Sequence, residues 1–270
     1  MKDMFKYNDG NDVVPKGHFK ISPSQLSRFF DKTSEWYREF LLGEEAAFQG
    51  STASHLGTCV HACAEMYVNT GNIDHSAVIN YVNSITDINV DKDYILAQYD
   101  VMAQTLIYQY LENNIPSETE LFLYKEVVPG IGIGGSIDSI CGSAIVDYKT
   151  TSSLNAPTGI SRPYYFQQMA YVWLARMHGY TIDTIRLVFI TTNQVNRISE
   201  VTGKPMKDYP STVTTIEQSV TDTDIEIIDN TIKLMSESVK FWKETPELRY
   251  LIAQDYRLKE AKPIKLNINK

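Results

Sequence analysis

ELFLYKEVVPGIGIGGSIDSICGSAIVDYKTT, residues 120–151, alternates β-favouring side chains with glycine turns, and it reads as three consecutive strands that begin a sheet. Asp138 falls in one strand, a turn at Cys141 to Ser143 follows, and Asp147 and Lys149 lie two apart in the next. Residues two apart in a strand project to the same side, so two carboxylates and a lysine are expected to meet at one end of a hairpin. Hard divalent cations take oxygen ligands and a nearby lysine orients a water, which suits phosphodiester hydrolysis. An Asp-X-Lys triplet is common on its own, and charges on strand ends would give the same pattern. The glycines of residues 130–135 lack the Gly-Lys-Ser/Thr ending of a phosphate-binding loop, and turn and strand positions account for them better.

Downstream, YYFQQMAYVWLARMH (164–178) predicts a helix and TIRLVFITTN (184–193) a further strand. Residues 197–210 read as a loop or hairpin insertion, after which a strand leads into a helix capped near Asp222 or Asp224. Upstream, SPSQLSRFF (22–30) offers Ser22 or Ser24 as a cap for a helix running into EWYREFLLG (35–43). TCVHACAEMYVNTG (58–71) predicts a helix stopped by Gly71, with His61 and Glu65 on one face. Apolar residues at three- and four-residue intervals give further helices between Asp74 and Asn114. The expected organisation is a loose arm over residues 1–20, one domain over 21–262 and a tail over 263–270. Within the domain, residues 21–115 are helical, 118–195 form an α/β core and 196–262 a strand and helix.

The chain of 270 residues is 43% hydrophobic, enough for a substantial core. No apolar run is long enough for a membrane span and the N-terminus lacks a signal-peptide layout, so a cytoplasmic location is the expectation. Three cysteines do not suggest a disulfide framework, and Cys59 and Cys63 read as buried thiols rather than half of a metal site. The net charge of −8 weighs against extensive phosphate contact, although carboxylates that hold metals contribute to that count.

Four ordered motifs now come together. Gly135 to Asp138, Ile145 to Thr150 and the Gln-X-X-X-Tyr of Gln167 to Tyr171 follow an N-terminal ISPSQLSRFF and a histidine segment around His61. This order resembles the RecB-like nucleases of the PD-(D/E)XK superfamily, from about Ile21 to His178. The resemblance implies an α/β restriction-endonuclease-like core, a central mixed sheet flanked by helices, with a helical N-terminal region. It implies Asp138, Asp147, the Tyr148 carbonyl and His61 as metal ligands for Mg²⁺ or Mn²⁺, and Lys149 as the residue that positions the attacking water. Gln167 and Tyr171 would orient the lysine or contact DNA. Glu126, at the start of the strand before Asp138, would support the site, with Glu120 its rival. With three cysteines, none near the C-terminus, the four-cysteine iron-sulfur cluster of some relatives is not expected.

The expected function is therefore a DNA nuclease, of exonuclease type, acting on free or single-stranded ends in recombination, repair or phage DNA processing. A recombination or replication protein is a candidate partner. The alternative is a non-catalytic or partner-dependent assembly protein that keeps the fold. Trp36, Tyr37, Tyr164 and Tyr165 are candidates for base stacking, although a chain with 17 tyrosines must use most of them structurally.

Overall fold

The computed structural model describes Phe5, Gly10 and residues 12–44, 50–154, 157–199 and 201–253. The three expected strands are β2 (Glu118–Val128), β3 (Ile131–Cys141) and β4 (Ala144–Thr151), joined by turns with Gly130 and Gly142 at positive φ. A short strand β1 (Phe19–Ile21) precedes them, and β5 (Thr184–Thr191) and β6 (Val213–Ser219) follow. Order thus reaches into the segment expected to be a loose arm, because residues 19–21 pair in parallel with residues 131–133 of β3. Most of residues 1–11, and everything after 253, including the predicted tail, lie outside the described residues.

Strand β3 explains where a site can form. One edge pairs with β2 along nearly its whole length. The other edge is shared: β1 takes residues 131–133 and β4 takes only residues 139–141. Beyond Val146, β4 leaves β3 and continues in parallel with β5, with Asp147 opposite Leu187 and Lys149 opposite Phe189. The sheet is therefore split between β3 and β4 at Asp138 and Asp147. Backbone groups at such a split still need partners, and the Tyr148 N–H finds one in Asp138 Oδ2 at 2.9 Å.

Helices cover both faces, each with its own core. On one side α3 (Thr52–Thr70), α4 (His75–Ser84) and α5 (Lys92–Gln109) pack on Ala144, Val146, Tyr148, Val188 and Ile190. On the other, α1 (Gln25–Asp31), α2 (Thr33–Phe40), α6 (Arg162–Met177) and α7 (Asp222–Glu244) pack on residues that include Ile133, Ile137, Ile145 and Ile185. Alternate residues of β4 thus serve opposite layers, as period-two geometry requires. The expected continuous first helix is broken at Lys32 (φ −142°, ψ 52°). Helix α7 is capped by Thr221, whose side chain and Asp224 make a reciprocal capping box, one residue before the expected start. Gly71 ends α3 with φ 75°, the left-handed conformation that glycine adopts at least cost. Cys59 and Cys63 are fully buried, and burial pushes both thiols up to about 12.

Candidate active site

His61 reaches the split from α3. Its Nε2 lies 2.7 Å from the Tyr148 carbonyl oxygen and its Nδ1 3.5 Å from Asp138 Oδ2. A carbonyl only accepts, so Nε2 either donates a proton to that oxygen or shares a cation with it. Where Nε2 of a neutral ring carries the proton, Nδ1 turns a lone pair toward a carboxylate. On each side of the ring, two acceptors face each other unless a ring proton or a metal ion lies between them.

A second carboxylate completes this arrangement. Glu120 falls opposite Asp138 between the β2–β3 pairs Thr119–Ser139 and Leu121–Ile137. Its φ is 47°, in the left-handed region that a non-glycine residue occupies only at a cost of order 1 kcal/mol. Strain of this kind persists where surrounding contacts enforce it, here including Ser136 Oγ donating to Glu120 Oε2 at 2.9 Å. Ligand atoms of His61, Glu120 and Asp138 all lie within 4.8 Å of one another. Around them is a cavity of about 10 Å³, also lined by Glu65 and Tyr148, the room a single ion or water needs. Burial first, then repulsion from Asp138, pushes the Glu120 carboxyl up to about 7. One imidazole, two carboxylates and an adjacent carbonyl fit a divalent cation that accepts oxygen and nitrogen donors.

Beside this cluster, Asp147 is almost wholly buried and its Oδ2 pairs with Lys149 Nζ at 2.7 Å. The ammonium also sits 5.1 Å from the centre of the Tyr164 ring, which projects from the first turn of α6. Burial raises Asp147, with Lys149 opposing the rise. For Lys149, burial works to lower the pKa, but Asp147 and Asp138 outweigh it and leave the value raised. The lysine is therefore charged at neutral pH, a donor rather than a proton acceptor.

The other expected site residues are placed differently. Glu126 is near the far end of β2, opposite Gly132; its Oε1 accepts from the Gly130 N–H at 2.7 Å and lies 3.9 Å from His18 Nε2. It does not belong to the cluster, and Glu120 takes the place expected for it. Tyr171 packs on Gly135, where an added Cβ would come within 3.1 Å of its ring and 2.9 Å of Pro23. Lys149 is held by Asp147 and by the ring of Tyr164. Gln168 is fully buried one turn after Tyr164, and neither of its amide atoms finds a partner among the described residues. Trp36 and Tyr37 are buried in an aromatic cluster with Phe29 and Trp242 and are closed to bases. Tyr165 donates to Asp224.

Glu120 is the residue that the sequence placed least well. Its signal would have been the hairpin register: folding residues 120–141 about Gly130 brings Glu120 opposite Asp138 and Glu126 opposite Gly132.

The family model of the PD-(D/E)XK nuclease superfamily matches residues 20–241. No curated protein matches the sequence. Among solved structures, a provisionally named exonuclease of Eubacterium rectale is 17% identical, with 85% of this chain and 83% of that one covered and a TM-score of 0.54, a shared fold. A phage-related exonuclease of Haemophilus somnus is 13% identical over 82% of this chain and 93% of that one, with a TM-score of 0.38. An alkaline exonuclease of Laribacter hongkongensis is 13% identical over 91% and 97%, with a TM-score of 0.39. These last two likenesses are too loose to fix the fold. No helix among the described residues is long and apolar enough to cross a membrane.

Proposed function

The chain belongs to the PD-(D/E)XK nuclease superfamily, and from that premise we propose that it is a divalent-metal-dependent DNA nuclease of exonuclease type, acting on free or single-stranded ends. The observation that carries this reading is the convergence of His61, Glu120 and Asp138 within 4.8 Å at the split in the sheet, beside the Asp147–Lys149 pair. His61, Glu120, Asp138 and the Tyr148 carbonyl would hold the ion, with Asp147 available once Lys149 releases it. Bound there, Mg²⁺ or Mn²⁺ supplies polarisation of the scissile phosphate and offsets charge on the leaving 3′ oxygen.

The chain's own groups do the rest. Lys149, charged and set against Tyr164, donates to the attacking water and holds it in line, and its charge balances that of the phosphate. Asp147 and Tyr164 keep the ammonium aimed while no substrate is bound. Asp138 ties the two strands across the split through the Tyr148 N–H, which holds its carboxylate in the cluster. The acidic net charge favours a short DNA contact, or one completed by a partner protein.

End-labelled linear DNA, single- and double-stranded, incubated beside a closed circle with Mg²⁺, Mn²⁺ or EDTA, tests the proposal. Wild type should degrade the linear DNA only with metal and spare the circle, and Asp138→Asn should lose the activity. Metal-dependent degradation by Asp138→Asn at the wild-type rate would overturn the assignment.

A further inference from the structure

Between β5 and β6 the chain makes a ribbon that the site does not use. Gln194 and Tyr209 exchange backbone hydrogen bonds of 2.8 and 2.9 Å, and the Met206 N–H donates to the Arg197 carbonyl and the Ser199 N–H to that of Lys204. An isolated two-stranded ribbon is marginal in water, and this one is tied down at its base. Asn193 makes a reciprocal pair of hydrogen bonds with the side chain of Gln98 on α5, and Gln194 Nε2 donates to the Ser152 carbonyl. The Thr192 N–H donates to the Thr151 carbonyl. The base therefore abuts the end of β4 only three residues past Lys149, roughly 10 Å along the strand.

The outer half of the ribbon has an unusual surface. Ile198, Val201 and Met206 are 65%, 94% and 44% exposed. Apolar side chains clustered on one projecting element mark contact surfaces more often than scattered ones do. The ribbon's charges, Arg197, Lys204 and Lys207 against Glu200 and Asp208, sum to +1 (three minus two), in a chain whose net charge is −8. Asp208 is engaged within the ribbon, where its Oδ1 accepts from the Asn196 N–H at 2.7 Å. Arg197 Nε is buried without a partner among the described residues. Cations beside an apolar tip complement a polyanion that also offers a flat apolar face, and the terminal base pair of a duplex is such a face.

We propose that the 194–209 ribbon docks on the end of a DNA duplex, its apolar tip against the last base pair and its cations on the flanking phosphates, so that a frayed strand enters the metal site. This rests on the nuclease reading for the identity of the substrate. The ribbon's base lies roughly 10 Å from Lys149 along the strand, and Ile198, four residues farther out, lies up to about 23 Å away, a span of about seven nucleotides of one strand.

The test compares wild type, Asp138→Asn and the triple variant Ile198→Ser/Val201→Ser/Met206→Ser, all three changes being on exposed side chains. The probe is a blunt duplex carrying 2-aminopurine at its terminal pair, read by fluorescence in EDTA, followed by degradation of the same labelled strand, paired and unpaired, with Mg²⁺. Wild type and Asp138→Asn should raise the fluorescence severalfold and the triple variant should not. The triple variant should also degrade duplex at least tenfold more slowly than wild type while matching it on the single strand. Unchanged fluorescence together with an unchanged duplex-to-single-strand ratio would overturn the proposal while leaving the nuclease intact. A ribbon-dependent fluorescence rise with no degradation of any DNA would sustain the ribbon's role and overturn the nuclease reading instead.

Discussion

The β2–β3 hairpin carries a glutamate facing a histidine at each end, and the two ends behave differently. At one end Glu126 meets His18 at 3.9 Å, with Glu126 about half exposed and its Oε1 taken by the Gly130 N–H. At the other, Glu120 meets His61 and Asp138 in a half-buried cavity, on a backbone held at φ 47°. Residue types are shared; what differs is convergence, burial and the presence of a second carboxylate. At the exposed end water screens the charges and a backbone N–H satisfies the acid. At the buried end like charges are held together at a cost that a bound cation would relieve. A metal centre is thus distinguished by its unsatisfied charge rather than by its composition.

The comparison would break first on activity. Glu120→Gln should lower metal-dependent DNA degradation by about 100-fold or more, on the order of the loss of one directly placed electrostatic group, whereas Glu126→Gln should stay within about twofold. Equal losses from the two variants in the same rate assay would remove the distinction.

Stability offers the next contrast. Lys149→Ala leaves Asp147 buried without its partner, which should cost about 3–5 kcal/mol in urea unfolding. His18→Ala, which loses a long and partly exposed contact with Glu126 and a hydrogen bond with the Tyr124 hydroxyl, should cost under about 2 kcal/mol. A Lys149→Ala protein as stable as wild type would mean that Asp147 is solvated.

A smaller effect sharpens the same comparison through pH. Glu120 has its carboxyl raised from 4.5 to about 7, so the folded protein binds that proton more tightly than the unfolded chain does. Its charge therefore costs nothing below about pH 4.5, costs progressively more as pH rises toward 7, and costs its full amount above that. In metal-free protein Glu120→Gln should gain about 1–2 kcal/mol relative to wild type at pH 8, after discounting for partial exposure, and nothing at pH 4. Denaturant titrations at the two pH values check this, and a gain of equal size at both would point to relief of backbone strain instead. The exposed Glu126→Gln should leave the pH difference in place.

Much of the molecule was legible in the sequence. The three strands follow from alternation and glycine turns, and Asp147 and Lys149 from their period-two spacing, which places their side chains 2.7 Å apart. His61 stands out by the motif order, and in the structure its Nε2 lies 2.7 Å from the Tyr148 carbonyl oxygen. Less was legible wherever position depends on pairing between distant segments. Strand β1 is three residues long, too short for a period, and exists only because β3 offers an edge. Glu120 could not be preferred over Glu126 without the register, and its left-handed backbone leaves no mark on composition. Tyr171 matched a motif position and its ring packs against Gly135, while Tyr164, two turns earlier, meets the lysine. Trp36 and Tyr37 are candidates for stacking by residue type, and α2 buries both.

The central claim is that His61, Glu120 and Asp138 form one cation site, and a Mn²⁺ titration followed by the paramagnetic signal of free ion tests it most directly. Wild type and Glu126→Gln should bind the ion with equal affinity, while Glu120→Gln and Asp138→Asn should each weaken it at least tenfold. Binding to Glu120→Gln and Asp138→Asn that matches wild type would contradict the account.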